Sequence, residues 1–359
     1  MPNFLNGLFR PEVLAMSAYK VTDAKNLIKL DAMENPYSWP EYIQQEWLQV
    51  LKSCVINRYP DPEAKALSVE LRHSNQLPEH TPILLGNGSD EIIQILLMAL
   101  IANSTILAPE PGFVMYRQVA LSLGLHYRGV PLLADSFELD LPAMLAAIQQ
   151  WQPALIFLAY PNNPTGNLFD SQAIKQILAL APGLVVIDEA YAPFADASFI
   201  SELENHANLL VMRTVSKLGL AGLRLGYLLG QPEILEQLNK IRLPYNINSL
   251  TQITAEFALK NGEFLLKQTQ NICEQRSLLY KALQTFDNIT VYPSAANFIL
   301  FRPKKANADQ VFDSLRQQGI LIKNLTHQGG LLENCLRVTI GSAEENQAFL
   351  GALKLALQA

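Results

Sequence analysis

The sequence has no cysteine pattern able to staple it or hold a metal. Its three cysteines, Cys54, Cys273 and Cys335, are odd in number and far apart, and none forms a Cys-x-x-Cys pair. Neither a disulfide framework nor a zinc site is expected, and a reducing compartment suits the chain. Charge is sparse too. Only 17% of residues are charged, the formal net charge is −6, and no basic block appears, which argues against nucleic acid as a partner. The roughly 18 uninterrupted apolar residues of a membrane span occur nowhere. The opening Met1-Pro-Asn-Phe-Leu-Asn-Gly lacks a charged segment leading into a long apolar run, so no secretory signal is expected and a cytoplasmic location is read. Recognition of an anion must then be local, built by a few residues inside a pocket.

What is present is apolar substance. Hydrophobic residues make up 49% of the 359, enough for about two domains with a large core. A short strand is expected at 27–30 and a helix from 40. Apolar runs at 83–85, 105–108, 154–159, 184–187, 209–212 and 225–229 read as strands. Most are continuous, as in strands buried on both faces of a largely parallel sheet, and helical stretches such as 91–101 and 171–180 lie between them. This α/β order places sites at the carboxyl ends of strands. Beyond residue 249 long helical patterns run to about 286, followed by strands expected at 297–301, 320–323 and 335–340 and a helix near 308–318. Ser342-Ala-Glu-Glu345 is a capping box that opens a final helix. The expected organisation is a large domain at 40–246 and a smaller α/β domain made of 1–39 with 247–359.

Polar signals gather at the expected carboxyl ends: Asn162-Asn-Pro-Thr-Gly166, then Asp188-Glu-Ala-Tyr191, then Ser216-Lys217. Lys217 sits in a run of small and apolar residues, with Thr214, Ser216 and Arg224 close in sequence. A lysine so placed loses hydration, which favours the free amine that covalent catalysis needs; an ordinary surface lysine is the commoner role. The hydroxyls and Arg224 suit a phosphate. Gly86-Asn-Gly-Ser-Asp90, running into a helix, offers a second anion site through the backbone amides of Gly88, Ser89 and Asp90, with the carboxylates of Asp90 and Glu91 turned away. Simple N-capping by Ser89 is the alternative. Plain readings also stand for the others: a cap for Asp188, turn formation for Asn162 and Asn163, core packing for Phe113, an exposed salt bridge for Arg337.

In this order, Asn-Asn-Pro-Thr-Gly, Asp-Glu-Ala-Tyr and Ser-Lys-x-x-x-Ala-Gly-Leu-Arg-x-Gly-Tyr resemble the fold-type I pyridoxal-phosphate aminotransferases, and the resemblance covers essentially the whole chain. It is nearest to the histidinol-phosphate branch of that family, through Leu30-Asp-Ala-Met-Glu-Asn-Pro-Tyr37, Asn57-Arg-Tyr-Pro60, Gly86-Asn-Gly-Ser-Asp-Glu91 and Leu336-Arg-Val-Thr-Ile-Gly341. The resemblance implies pyridoxal 5′-phosphate as cofactor, no metal, and amino transfer between L-histidinol phosphate and 2-oxoglutarate. It makes Lys217 the lysine bonded to the cofactor and the proton carrier, and Asp188 the partner of the pyridine nitrogen. Tyr191 and Asn163 become donors to the phenolic oxygen, and Phe113 the aromatic stacked on the ring. Thr214, Ser216 and Arg224 become the phosphate cup, with Gly88, Ser89 and Asp90 opposite. Tyr59 resembles a tyrosine that reaches the neighbouring subunit's cofactor phosphate, which implies a homodimer. Arg337 resembles the arginine for the substrate's distal anion, and Tyr19 and Asn35 resemble substrate contacts from the N-terminal segment.

Two departures stand out. Lys217 and Arg224 are seven apart, one fewer than in many aminotransferases, so a tighter turn through Gly219 and Gly222 is expected. Lys323 aligns where many relatives carry a second anion-binding arginine, and a lysine gives a point charge instead of a fork. An aromatic-amino-acid aminotransferase or a threonine-phosphate decarboxylase on the same scaffold, and a non-catalytic binding protein that keeps the fold, are the alternative readings.

Overall fold

The computed structural model describes residues 4–5, 7–18 and 22–358. After the two-residue β1 (Ile28–Lys29), seven strands build one sheet: β2 (Ile83–Gly86), β3 (Thr105–Glu110), β4 (His126–Pro131), β5 (Leu155–Ala159), β6 (Leu184–Asp188), β7 (Leu209–Thr214) and β8 (Gly226–Leu229). Their spatial order is β2-β8-β7-β6-β5-β3-β4. β8 is antiparallel to both its neighbours, and the other paired strands run parallel. The continuous apolar runs follow from helices on both faces. Ile156, Leu158, Val185, Ile187, Leu209 and Val211 point into one core, while Leu155, Phe157, Val186, Leu210 and Met212 point into the other. That alternation is the period-two geometry of a strand.

Five further strands follow: β9 (Ile289–Val291), β10 (Phe298–Pro303), β11 (Ile320–Leu321), β12 (Lys323–Asn324) and β13 (Leu336–Thr339). Four of these form a second, antiparallel sheet in the order β12-β13-β10-β9. The single strand expected at 320–323 is split: β11 pairs in parallel with β1 from the N-terminal segment, and β12 pairs with β13. Ile322, between them, is buried in this sheet's own core. The Ser342 capping box opens helix Ala343–Ala356 as expected, with both reciprocal bonds formed.

Helix Ser249–Lys260 lies beyond residue 246, yet its Ala255, Phe257 and Ala258 join the core of the seven-stranded sheet. Helix Glu263–Gln284 bridges the two cores: Phe264 and Leu265 sit in the first, Ile272, Leu279 and Leu283 in the second. Among the described residues no helix is long and apolar enough to cross a membrane.

A buried ion pair ties the strand ends that carry the site. Glu189, one residue past β6, accepts from Arg213 of β7 at 2.9 Å (Nε) and 2.6 Å (Nη2), and its side chain is 0% exposed. It also accepts from the Phe199 N–H and the Ser198 hydroxyl. Removing one partner of a buried pair leaves an uncompensated charge. Arg213→Met should therefore cost about 3–5 kcal/mol of stability, read as a lowered urea midpoint. Adding Glu189→Gln, which neutralises the stranded charge and keeps an acceptor, should recover most of the loss. A single variant as stable as the parent would contradict this role.

Candidate active site

Adjacent strands lie about 4.8 Å apart, so signals at the carboxyl ends of β5, β6 and β7 converge. Ala159 is in register with Asp188, and Asp188 with Met212. The cleft beyond these ends is lined by Asn163, Asp188, Tyr191, Thr214, Ser216 and Lys217, and across from them by Ser89, Asp90, Phe113 and Arg224. Ten of the expected site residues therefore share one cleft.

Lys217 follows β7 in a single 3-10 turn, Ser216–Leu218. Burial, then the nearby Arg337 charge, lowers its pKa to about 8. Its Nζ donates to the Ala32 carbonyl at 3.4 Å and lies 5.7 Å from the centre of the Tyr191 ring. Asp188 ends β6 and is 5% exposed. Burial raises its pKa to about 6, opposed by hydrogen bonds from Tyr116 and the Ala190 N–H. The amine and the carboxyl are thus both shifted toward neutrality, the separation of environments that marks acid–base sites.

The anion cup is built from three pieces. Helix Ser89–Met98 starts after Gly88 (φ 82°) with no side-chain cap on its free N–H groups, so N-capping by Ser89 does not occur. A Cβ on Gly88 would lie 2.6 Å from Arg224 Nη2, and the missing side chain lets the guanidinium reach the loop. Thr214 and Ser216 hydroxyls are 2.9 Å apart. Glu91 is turned away, accepting from Asn87 N–H and Asn246 Nδ2. Asp90 is not. Its carboxylate accepts from Arg224 Nη2 at 3.1 Å, because that guanidinium takes the nearest anion at hand. The short turn from Lys217 to Arg224 is made by Gly219 (φ 104°) and by Arg224 itself in a left-handed conformation (φ 49°); Gly222 contributes no such bend.

Arg337, on β13 of the other sheet, reaches Asn163 in the wall of this cleft. Its side chain is buried, donates to Asn163 Oδ1 at 2.6 Å and to the Asp31 carbonyl at 3.2 Å, and lies over the Phe298 ring. Asn163 in turn donates to the Tyr191 hydroxyl at 3.1 Å. Its neighbour Asn162 is a turn former, donating to Pro111 O and Thr165 Oγ1.

Other residues lie elsewhere. Tyr59 is 80% exposed and stacked on Tyr245 at 4.4 Å. Asn35 sits behind the lysine turn, donating to Leu218 O and Gln268 Oε1. Lys323 is half-buried and directly cross-strand from Arg337. Tyr19 lies outside the described residues. Two residues were not foreseen: Met33, which lines the cleft, and the buried Tyr116, which donates to Asp188 Oδ2 at 2.5 Å. Tyr116 stands three residues after Phe113 and its ring meets that one edge-on, but in the sequence it carries no signal apart from that of a core aromatic.

An amine whose pKa burial lowers to about 8, a carboxylate facing an aromatic-lined cleft, paired donors at Tyr191 and Asn163, and an uncapped helix end beside an arginine together fit a phosphorylated pyridine aldehyde. The chain belongs to the aminotransferase class I and II family, whose model matches residues 25–353. It is 55% identical over 346 residues to histidinol-phosphate aminotransferase 2 of Nitrosococcus oceani, covering 96% of each chain. Its fold is similar to that of the histidinol-phosphate aminotransferase of Clostridium acetobutylicum, with a TM-score of 0.84, 26% identity, and coverage of 92% of this chain and 99% of that one. The enzyme of the same name from Sinorhizobium meliloti, solved in complex with pyridoxal 5′-phosphate, superposes with a TM-score of 0.85 at 23% identity over 98% of each chain.

Lys217 should behave as an activated amine before any cofactor binds. Cofactor-free protein labelled with a small acylating reagent and mapped by mass spectrometry should show Lys217 reacting half-maximally near pH 8. Below that pH the ammonium is unreactive; above it the amine is free. Surface lysines should not reach half-reaction until roughly pH 10.4. Lys217 titrating with the surface set would contradict its desolvation.

Proposed function

We propose that this protein catalyses reversible amino transfer between L-histidinol phosphate and 2-oxoglutarate, giving imidazole-acetol phosphate and L-glutamate, in L-histidine biosynthesis, with pyridoxal 5′-phosphate as cofactor. The observation that carries the reading is the meeting of Lys217 and Asp188 in one cleft, with Arg337 bonded to Asn163 of its wall and its charge close enough to act on Lys217. When bound, the cofactor supplies an aldehyde for the amine and a ring that withdraws electrons from the substrate Cα. Lys217 Nζ would hold the cofactor covalently and, once free, would carry the proton from the substrate Cα to the cofactor's C4′. Asp188 keeps the ring nitrogen protonated, and Tyr191 and Asn163 donate to the phenolic oxygen. Arg224, released from Asp90, closes on the phosphate with Thr214, Ser216 and the Gly88, Ser89 and Asp90 amides. Phe113 covers the ring.

Arg337 reads the distal anion: the phosphate of one substrate and the side-chain carboxylate of the other. Lys323, beside it across the strands, adds a point charge, and Asn35 and Tyr19 belong to the N-terminal wall of the substrate pocket. The protein works as a homodimer in which Tyr59 reaches the neighbouring copy's cofactor phosphate. Exposed apolar residues close in sequence to Tyr59 (Val55 and Ile56) and to its stacking partner Tyr245 (Leu243) support such an interface.

Arg337→Ala should lower kcat/KM for histidinol phosphate by about two to four orders of magnitude, the worth of two buried charge-assisted bonds. Glutamate should suffer as well, and an unphosphorylated aromatic amine much less. Steady-state assays with all three substrates decide it. An equal loss for each would mean that Arg337 supports the fold and does not read the anion.

A further inference from the structure

We propose that Tyr116 is a positioning residue for Asp188: its hydroxyl holds the carboxylate in the orientation and the ionised form that the cofactor's pyridine nitrogen requires. This rests on the cofactor reading above. Tyr116 lies in the first turn of helix Val114–Ser122 and is 1% exposed. Its ring is stacked on Phe157 at 4.3 Å with 1° between planes, and it meets Phe113 edge-on at 5.5 Å and 84°. Two aromatic walls hold the ring, so packing sets the direction of the hydroxyl. That direction meets Asp188 Oδ2 at 2.5 Å. A buried phenol needs some partner, and a backbone carbonyl would serve; here the partner is the carboxylate at the head of the cleft.

The phenol is the donor, because burial and the Asp188 charge push its pKa well above the usual 10. The surroundings of Asp188 otherwise work against its charge. Burial disfavours the anion, Asp90 and Glu189 repel it, and Tyr191 stands close by. Tyr116 and the Ala190 N–H favour the anion, the latter through Oδ1 at 3.1 Å. Since the Ala190 group is backbone, Tyr116 is the side chain through which the anion is favoured. Each carboxylate oxygen retains a second lone pair for the ring N–H. If the tyrosine donor is lost, the proton shared between Asp188 and the ring moves toward the carboxylate, and the ring loses its pull on electrons.

The test loads wild type, Tyr116→Phe and proteins carrying 3-fluorotyrosine or 3,5-difluorotyrosine at position 116 with cofactor labelled with 15N at the ring nitrogen. Tyr116→Phe should move the nitrogen resonance toward neutral pyridine and lower kcat by about ten- to a hundredfold, the worth of one hydrogen bond to a charged group, with KM little changed. The fluorinated residues keep the ring and graded donor strength, so their resonances must stay on the protonated side even if the phenylalanine variant does not fold. An unchanged resonance in Tyr116→Phe, or a neutral one in the fluorinated proteins, overturns the inference. A wild type that never binds the labelled cofactor overturns the underlying cofactor reading instead, and the two failures are told apart by that first spectrum.

Discussion

Desolvation of two opposite charges at the ends of neighbouring strands governs the site. Lys217 and Asp188 are both pushed toward neutrality by burial, one down to about 8 and the other up to about 6. Between those values small electrostatic changes move protons, which is where acid–base chemistry is efficient. The sheet enforces this arrangement. β6 and β7 are apolar on both faces and end together, so the residues just past them meet in a dry place. The Glu189–Arg213 pair locks those ends one step away from the chemistry.

Charged groups in the cleft take the partners within reach. Arg224 rests on Asp90, and Lys217 on the Ala32 carbonyl. Arg337 from the four-stranded sheet rests on Asn163 from the seven-stranded one. The cleft is therefore also a seam between two cores, crossed by the long helix Glu263–Gln284 and by the N-terminal loop, whose Asn35 bonds to Gln268 of that helix. Binding of an anion by Arg337 competes with a bond that joins the two sheets, which couples occupancy to their relative placement.

Legibility in the sequence followed burial. β3, β5, β6 and β7 are continuous apolar runs and were readable; β4, an edge strand with four exposed residues of six, carried no such signal. The break at Ile322 was hidden because a buried irregular residue and a buried strand residue share the same composition. Site residues in motifs at strand ends were readable by type and position. Tyr116 was not, since an aromatic near another aromatic reads as core, and its partner is 72 residues away. The contact between Asp90 and Arg224 was missed for a related reason. A carboxylate beside an expected anion site reads as repelled, while the structure pairs it with a cation 134 residues further on.

The central claim is that Lys217 is the amine that bonds the cofactor, and reduction with borohydride tests it most directly. Protein incubated with pyridoxal 5′-phosphate, reduced, digested and sequenced by mass spectrometry should carry the stable adduct on Lys217, and Lys217→Ala should carry none in the cleft. An adduct on another lysine in wild type, with Lys217 unmodified, would contradict the account.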